Sequence, residues 1–218
     1  MTSQSLLDIW PLLGLRVTTP RLTLAYPTDE HSAELAEVAK RGIHAEGISP
    51  FMTGFSLLPP DERARSVVQF QWKGRAEFSV EKWTLPFVAI VDGEVVGVQD
   101  AFTSHFALTR AVTTGSWLVA DRQGEGIGTE MRRAILHLLF DGLGAEIAHT
   151  EAFAHNGSSQ GVTRKLGYID DGETIGKRGD GEAERSLRFR MEREHWAEVK
   201  SDDLTIHGLE ACLPLFGL

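Results

Sequence analysis

A single cysteine, Cys212, stands among the 218 residues. That excludes a disulfide framework and any metal site built from cysteines. Histidine offers no substitute: His31, His44, His105, His137 and His207 show neither H-x₃-H spacing nor acidic companions, so no metal is expected. Positive charge is also in deficit. The 22 Lys and Arg against 31 Asp and Glu leave a net charge of −9, which argues against an electrostatic grip on nucleic acid or an anionic membrane. No apolar run approaches the ~20 residues that a membrane span requires. The segment LLDIWPLLGL (6–15) is apolar, yet Asp8 and Pro11 interrupt it, no Lys or Arg precedes it and no small-residue cleavage site follows. It reads as chain that packs on the domain and not as a secretory leader, and a cytoplasmic location is the default. The five tryptophans (Trp10, Trp72, Trp83, Trp117 and Trp196) are scattered and make no stacking platform; core or rim packing is expected of them.

What is present describes an ordinary globular chain. Hydrophobic residues make up 42% and charged residues 24%, enough for a sizeable core without cross-links. Without an evident linker, the expectation is one domain over 1–218, with a core at about 15–195 and a tail at 196–218 whose apolar end, LPLFGL, is a candidate for packing or homo-oligomer contact. RLTLAY (21–26) alternates with the period of a half-buried strand. Thr28 predicts a helix start, and the helix it opens ends near Gly42. Residues 43–58 read as a loop or short helix covering a site, and Pro59-Pro60-Asp61-Glu62 opens a second helix. FVAIVDGEVVGVQDAF (87–102) predicts a hairpin about Asp92-Gly93. A strand at 111–120 follows, with a bulge expected at Gly115. Next come a glycine-rich turn, a helix from Ile127 to about Asp141 with Met131, Ile135 and Leu138 inward, a strand at 146–155, a short helix at 158–166, and a closing strand pair at 168–176 and 185–193. Hairpins mixed with helical crossovers predict an α/β fold (α+β) with a mixed sheet.

The turn Gln123-Gly124-Glu125-Gly126-Ile127-Gly128-Thr129 carries the chemistry. Three glycines in five positions remove the Cβ atoms that would keep backbone N–H groups apart. The helix that follows adds its own unpaired N–H groups and the positive end of its dipole. Together these form a cradle for phosphate or pyrophosphate, unless the turn merely joins strand to helix with nothing bound. A Walker A loop would end in Gly-Lys-Ser/Thr, whereas Gly128 precedes Thr129 and Glu130. A dinucleotide fingerprint would place its third glycine where Thr129 stands. Neither nucleotide loop fits.

Gln-x-x-Gly-x-Gly at 123–128 resembles the acyl-CoA pyrophosphate loop of the GNAT N-acyltransferase superfamily. A second segment, Asn156-Gly-Ser-Ser159-Gln-Gly-Val162-Thr-Arg-Lys165-Leu166-Gly167-Tyr168, is similar to the Asn-x-x-Ser…Leu-Gly-Phe/Tyr signature of the branch holding the ribosomal-protein N-terminal acetyltransferases. Thr19-Pro-Arg-Leu-Thr-Leu24 is similar to that branch's first strand. The resemblance spans about residues 15–195. It implies a mixed sheet whose fourth and fifth strands splay apart to admit the acyl-pantetheine arm.

It further implies that acetyl-CoA or another acyl-CoA is co-substrate, with direct transfer to an amine of a protein N-terminus, a lysine or a small molecule. The implied CoA-binding set is Leu118 and Val119, whose backbone N–H groups would serve the thioester and pantetheine, with Gln123, Gly124, Glu125, Gly126, Ile127, Gly128, Thr129, Asn156 and Ser159. Ser159 is the implied proton source for the leaving thiolate, against an ordinary capping role. Arg164 and Lys165 are set between nucleotide phosphate and solvent, and Tyr168 is expected to pack. The amine-side base is not supplied by the resemblance. Where some relatives carry a carboxylate, this chain has Lys177 and Arg178, leaving Glu151, His149, His155 or bulk water. The basic pair raises the alternative of a succinyl-CoA donor, and the missing carboxylate that of a catalytically weak acyl-CoA sensor. Acceptor specificity is expected in 43–83 and the loop before residue 85.

Overall fold

The computed structural model describes residues 5–44, 47 and 49–218. Among these, nine strands form one mixed sheet. In chain order they are β1 (Arg16–Thr18), β2 (Leu22–Ala25), β3 (Lys82–Val91), β4 (Glu94–Ser104), β5 (Ala111–Leu118), β6 (Ile147–Phe153), β7 (Ile169–Lys177), β8 (Ala183–Glu192) and β9 (Thr205–His207). Their spatial order is β7-β8-β6-β5-β4-β3-β2-β1-β9. Seven helices accompany them: α1 (Leu6–Ile9), α2 (Asp29–Lys40), α3 (Pro60–Ala76), α4 (Phe106–Thr109), α5 (Ile127–His137), α6 (Gly157–Lys165) and α7 (Arg193–Val199). None is long and apolar enough to cross a membrane.

Local chemistry explains the main elements. Thr28 caps α2 by accepting from the His31 N–H, and Pro60 with Asp61 and Glu62 starts α3. The β3–β4 hairpin turns through Asp92 and Gly93, both at positive φ, as a two-residue turn requires. In α5 the predicted inward residues Met131, Ile135 and Leu138 are fully buried, although the α-helix ends at His137 and continues as a wider turn over Leu138–Gly142. The predicted cover at 43–58 contains a short helical turn at Gly54–Leu57, while 45, 46 and 48 lie outside the described residues.

The sheet divides two cores. The larger, against α5, takes Trp83, Leu85, Phe87 and Ala89 from β3; the smaller takes Val88, Val95 and Val98 from the other face, with Leu35 and Ala39 of α2 and Val67 of α3. The irregularity expected at Gly115 lies elsewhere. β5 keeps unbroken register with β4 through Gly115, opposite Asp100, and the register shift falls between Ala89 and Ile90. Gly97 is needed where β4 meets β5, because a Cβ there would stand 2.3 Å from the Trp117 carbonyl oxygen.

The splay falls between β5 and β6, one place later than expected because an additional short strand, β1, precedes β2. These two strands run parallel and pair only from Ala111/Ile147 to Thr113/His149. Beyond that, Thr150 Oγ1 donates to the Thr114 carbonyl and backbone pairing ends. The tail is no appendage either. β9 closes the far edge against β1, Phe216 lies fully buried against Trp83, and Trp196 stacks on Phe140.

Candidate functional site

The glycine turn sits where β5 ends and α5 begins. Gly124 (φ +84°) and Gly126 (φ +82°) are both in the left-handed region, so both need glycine, and no atom of the described residues stands within 4 Å of a Cβ added at Gly124. Gly126 is the N-cap of α5 and brings no side-chain cap. Among the described residues, the amides of 124–128 donate to no backbone acceptor; the first helical donors satisfied are Thr129 and Glu130, both to the Gly126 carbonyl. Five successive N–H groups at a helix N-terminus thus remain for an anion.

Gln123 holds this loop in place. Its Nε2 donates to the Leu118 carbonyl at 2.9 Å and the Ile43 carbonyl at 3.0 Å, tying strand end to loop. Arg122 pairs with Glu125 at 3.3 Å. Arg21 lies beside the cradle, with Nη2 3.5 Å from a Cβ built on Gly126 and Nη1 donating to the Glu125 carbonyl. Glu130, mostly buried in α5, holds Arg21 at 2.5 Å and also accepts from Thr19. The sequence reading used Arg21 only as part of a strand motif. Its place at the anion cradle depends on a contact across more than a hundred residues.

α6 stands next to α5, with Val162 3.9 Å from a Cβ built on Gly128. Asn156 is its N-cap and accepts from the Ser159 N–H at 3.1 Å. The Ser159 hydroxyl, partly exposed, bonds no other described residue. The two motifs named from sequence therefore converge on the α5 side of the sheet.

One backbone assignment needs correction. The Val119 N–H donates to the Val96 carbonyl at 2.9 Å, so it is committed to the sheet. Alternation along the strand turns the Leu118 N–H the other way, toward the gap that β6 has left.

Inside that gap lies a cation the sequence reading missed. Arg132 of α5 is 3% exposed. Its Nη1 donates to Thr150 Oγ1 of β6 at 3.1 Å and its Nη2 to Ser116 Oγ of β5 at 3.2 Å. One guanidinium bridges the two diverging strands. Tyr168, buried nearby, has its phenol pushed up by burial, with the Arg132 charge pulling the other way.

On the opposite face, the candidates for the amine side are occupied. His155 meets Glu184 at 2.8 Å, His149 meets Asp171 at 3.8 Å, and Glu151 accepts from Ser186 at 3.2 Å. Arg178 pairs with Asp180 at 2.8 Å and Glu184 at 2.9 Å, while Lys177 stands exposed. Arg164 bonds Gln160 and lies over the Phe189 ring, 5.1 Å from its centroid. The β7–β8 turn crosses to the 49–57 segment: the Gly179 N–H donates to the Phe51 carbonyl at 2.9 Å. A Cβ at Gly179 would stand 2.3 Å from the Thr53 carbonyl oxygen, so only glycine permits this contact. Below it, Phe51, Phe55 and Trp117 form a chain of tilted rings.

The chain thus combines a splayed mixed sheet with a run of open amides at the strand-to-helix turn. The model of the acetyltransferase (GNAT) domain matches residues 21–169, and the chain belongs to that family of N-acetyltransferases. Solved structures share the fold. RimJ of Mycobacterium smegmatis in complex with CoA-disulfide is 20% identical, with 92% of each chain covered and a TM-score of 0.67. The ribosomal-protein-S5-alanine acetyltransferase of Vibrio fischeri is 14% identical over 83% of this chain and 98% of its own, at 0.63. The microcin C7 self-immunity acetyltransferase MccE, in complex with acetyl-CoA and AMP, is 15% identical over 79% and 93%, at 0.61.

Proposed function

We propose that the protein moves an acetyl group from acetyl-CoA directly to a primary amine, with a protein N-terminus as the first acceptor class to test. The observation that carries this reading is the run of open amides at 124–128 beside the splayed strands. The diphosphate of CoA binds on those N–H groups, with Arg21, held by Glu130, at the rim. The pantetheine arm then follows β5 into the gap past Asn156. Facing that gap, the Leu118 N–H donates to the thioester oxygen, and a donor fixed before reaction stabilises the oxyanion at little reorganisation cost. As the C–S bond breaks, the Ser159 hydroxyl relays a proton to the thiolate; its own pKa is too high for it to be more than a relay.

The acetyl donor is supported by the MccE complex, and a protein acceptor by the name of the ribosomal-protein-S5-alanine acetyltransferase. A succinyl donor finds less support, because Arg178 is already neutralised by two carboxylates. The test is calorimetry with acetyl-CoA and succinyl-CoA, followed by thiol release against peptides, lysine derivatives and small amines. Acetyl-CoA binding with turnover on a peptide N-terminus is expected. Binding without turnover on any amine would favour the sensor reading, and no binding would overturn the proposal.

A further inference from the structure

The acceptor's base is missing from the sequence motifs, yet the sheet face away from α5 holds an unused carboxyl. Asp100 lies on β4, in the row Pro86–Asp100–Gly115 across β3, β4 and β5. On β5, Gly115 is two residues beyond Thr113, whose partner His149 marks the last paired position of β6. The Asp100 row is thus the first on that face where the strands have parted. Among the described residues nothing stands within 4 Å of a Cβ built at Gly115, so open space adjoins Asp100 on the side of the gap. One row further on, Thr84, Phe102, Thr113 and His149 line a cleft of about 390 Å³. Phe55 and Trp117 bound the other end.

One oxygen of Asp100 is buried without a hydrogen-bond partner among the described residues, an arrangement that costs stability and calls for a ligand or a function. Gln71, on the buried face of α3, likewise has both amide atoms buried and unpartnered. Other charges on this face are few or committed. Lys82 is exposed at the start of β3, His149 faces Asp171, Glu151 holds Ser186, and His44 bonds Ser56. The buried positions of α3 (Ala64, Val67, Gln71, Gly74) and of α2 (Ser32, Leu35, Ala36, Val38, Ala39) carry no charge.

We propose that the Asp100 carboxylate is the base that takes the proton from the acceptor's ammonium group, in the pocket above Gly115. This inference rests on the acyl-transfer reading above. The ammonium gives one proton to Asp100 and becomes a neutral amine. Its nitrogen lone pair forms the new C–N bond to the thioester carbon, and the C–S electron pair leaves on sulfur. The nitrogen's second proton goes to the thiolate through Ser159, giving free thiol, and Asp100 releases its proton to water. Burial pushes the Asp100 carboxyl up to about 8, and a base is most effective when its pKa lies near the pH at which it works. The space over Gly115 is open to a primary amine; the ring row beside it favours an alkyl or peptide chain over a highly charged one.

The first test is carbon NMR of the Asp100 carboxyl in the protein without donor. A midpoint near 8 is expected, falling when millimolar butylammonium is added, because a cation alongside favours the charged form. A midpoint between 3 and 5, or none of the expected response to butylammonium, would overturn the assignment. The second is Asp100→Asn, assayed by thiol release with acetyl-CoA and the acceptors found active, or by acetyl-CoA hydrolysis alone where none is. The expected loss is roughly 10²-fold or more in kcat, with the rising limb of the pH profile moved upward and calorimetric acetyl-CoA affinity unchanged. An unchanged rate and profile, or the same loss in Glu151→Gln with Asp100→Asn unaffected, sinks this base. If the unaltered protein itself fails to bind acetyl-CoA, the fault lies with the acyl-transfer reading instead.

Discussion

Two residue positions decide whether donor binding and chemistry can be separated. Gly126 caps α5 at positive φ with its amide turned to the cradle, so Gly126→Asp combines backbone strain with a carboxylate at the anion site. Calorimetry should show acetyl-CoA affinity reduced by at least about 100-fold. Ser159→Ala leaves the cap intact, because Asn156 accepts from the Ser159 backbone and not from its hydroxyl. It should lower kcat by roughly 10- to 100-fold while sparing acetyl-CoA affinity; equal turnover would remove the hydroxyl from the mechanism.

Asp100 makes a further prediction about stability. Its native pKa lies above the unfolded value, so the native state holds a proton that the unfolded chain gives up between about pH 4 and 8. Native stability from this group is present at acid pH and is lost as pH rises through about 8. Asp100→Asn removes that dependence. The variant should melt higher than the parent at pH 8, with the gap shrinking toward pH 4. A parent more stable than the variant at pH 8 would mean the carboxylate is satisfied by a partner.

At the scale of elements, side chains take over from the backbone where β5 and β6 part. β5 and β6 share three backbone pairs, after which Arg132 reaches from α5 to Ser116 on one strand and Thr150 on the other. Arg132→Ala would leave both hydroxyls without their donor and a void in the larger core. A loss of about 3 kcal/mol in urea unfolding is expected. Donor affinity should fall with it, since the Leu118 N–H depends on the same strand end. The β7–β8 turn presents a second such joint. Gly179→Ala should separate that turn from the 49–57 segment and raise KM for the acceptor, leaving acetyl-CoA affinity unchanged.

For the whole molecule, an early strand and a late one meet at the far edge of the sheet. β1 lies between β2 and β9, and Phe216 packs on Trp83 and Phe78 in the main core. Truncation after Lys200 would strip β9 and expose that pocket. Because burying a single phenylalanine is worth about 3–5 kcal/mol, a large share of total stability, the truncated chain should lose its cooperative thermal transition. Retention of that transition would show the tail to be dispensable.

Local signals were legible in the order of residues because they act over a few positions. Left-handed glycines, the caps at Thr28 and Asn156, the Asp92-Gly93 turn and the inward stripe of α5 each follow from backbone sterics or helical period. The two spaced motifs pointed to acyl-CoA for the same reason, since each is a short stretch of chain arranged about one ligand group. Long-range pairing decided the remainder. Whether the Val119 amide is open depends on Val96 across the ladder. Arg21 at the cradle, Arg132 in the gap, and Asp100 beside the parted strands owe their roles to neighbours that only folding supplies. Alternation of strand faces alone could not have shown which polar residues the splay would strand in the interior.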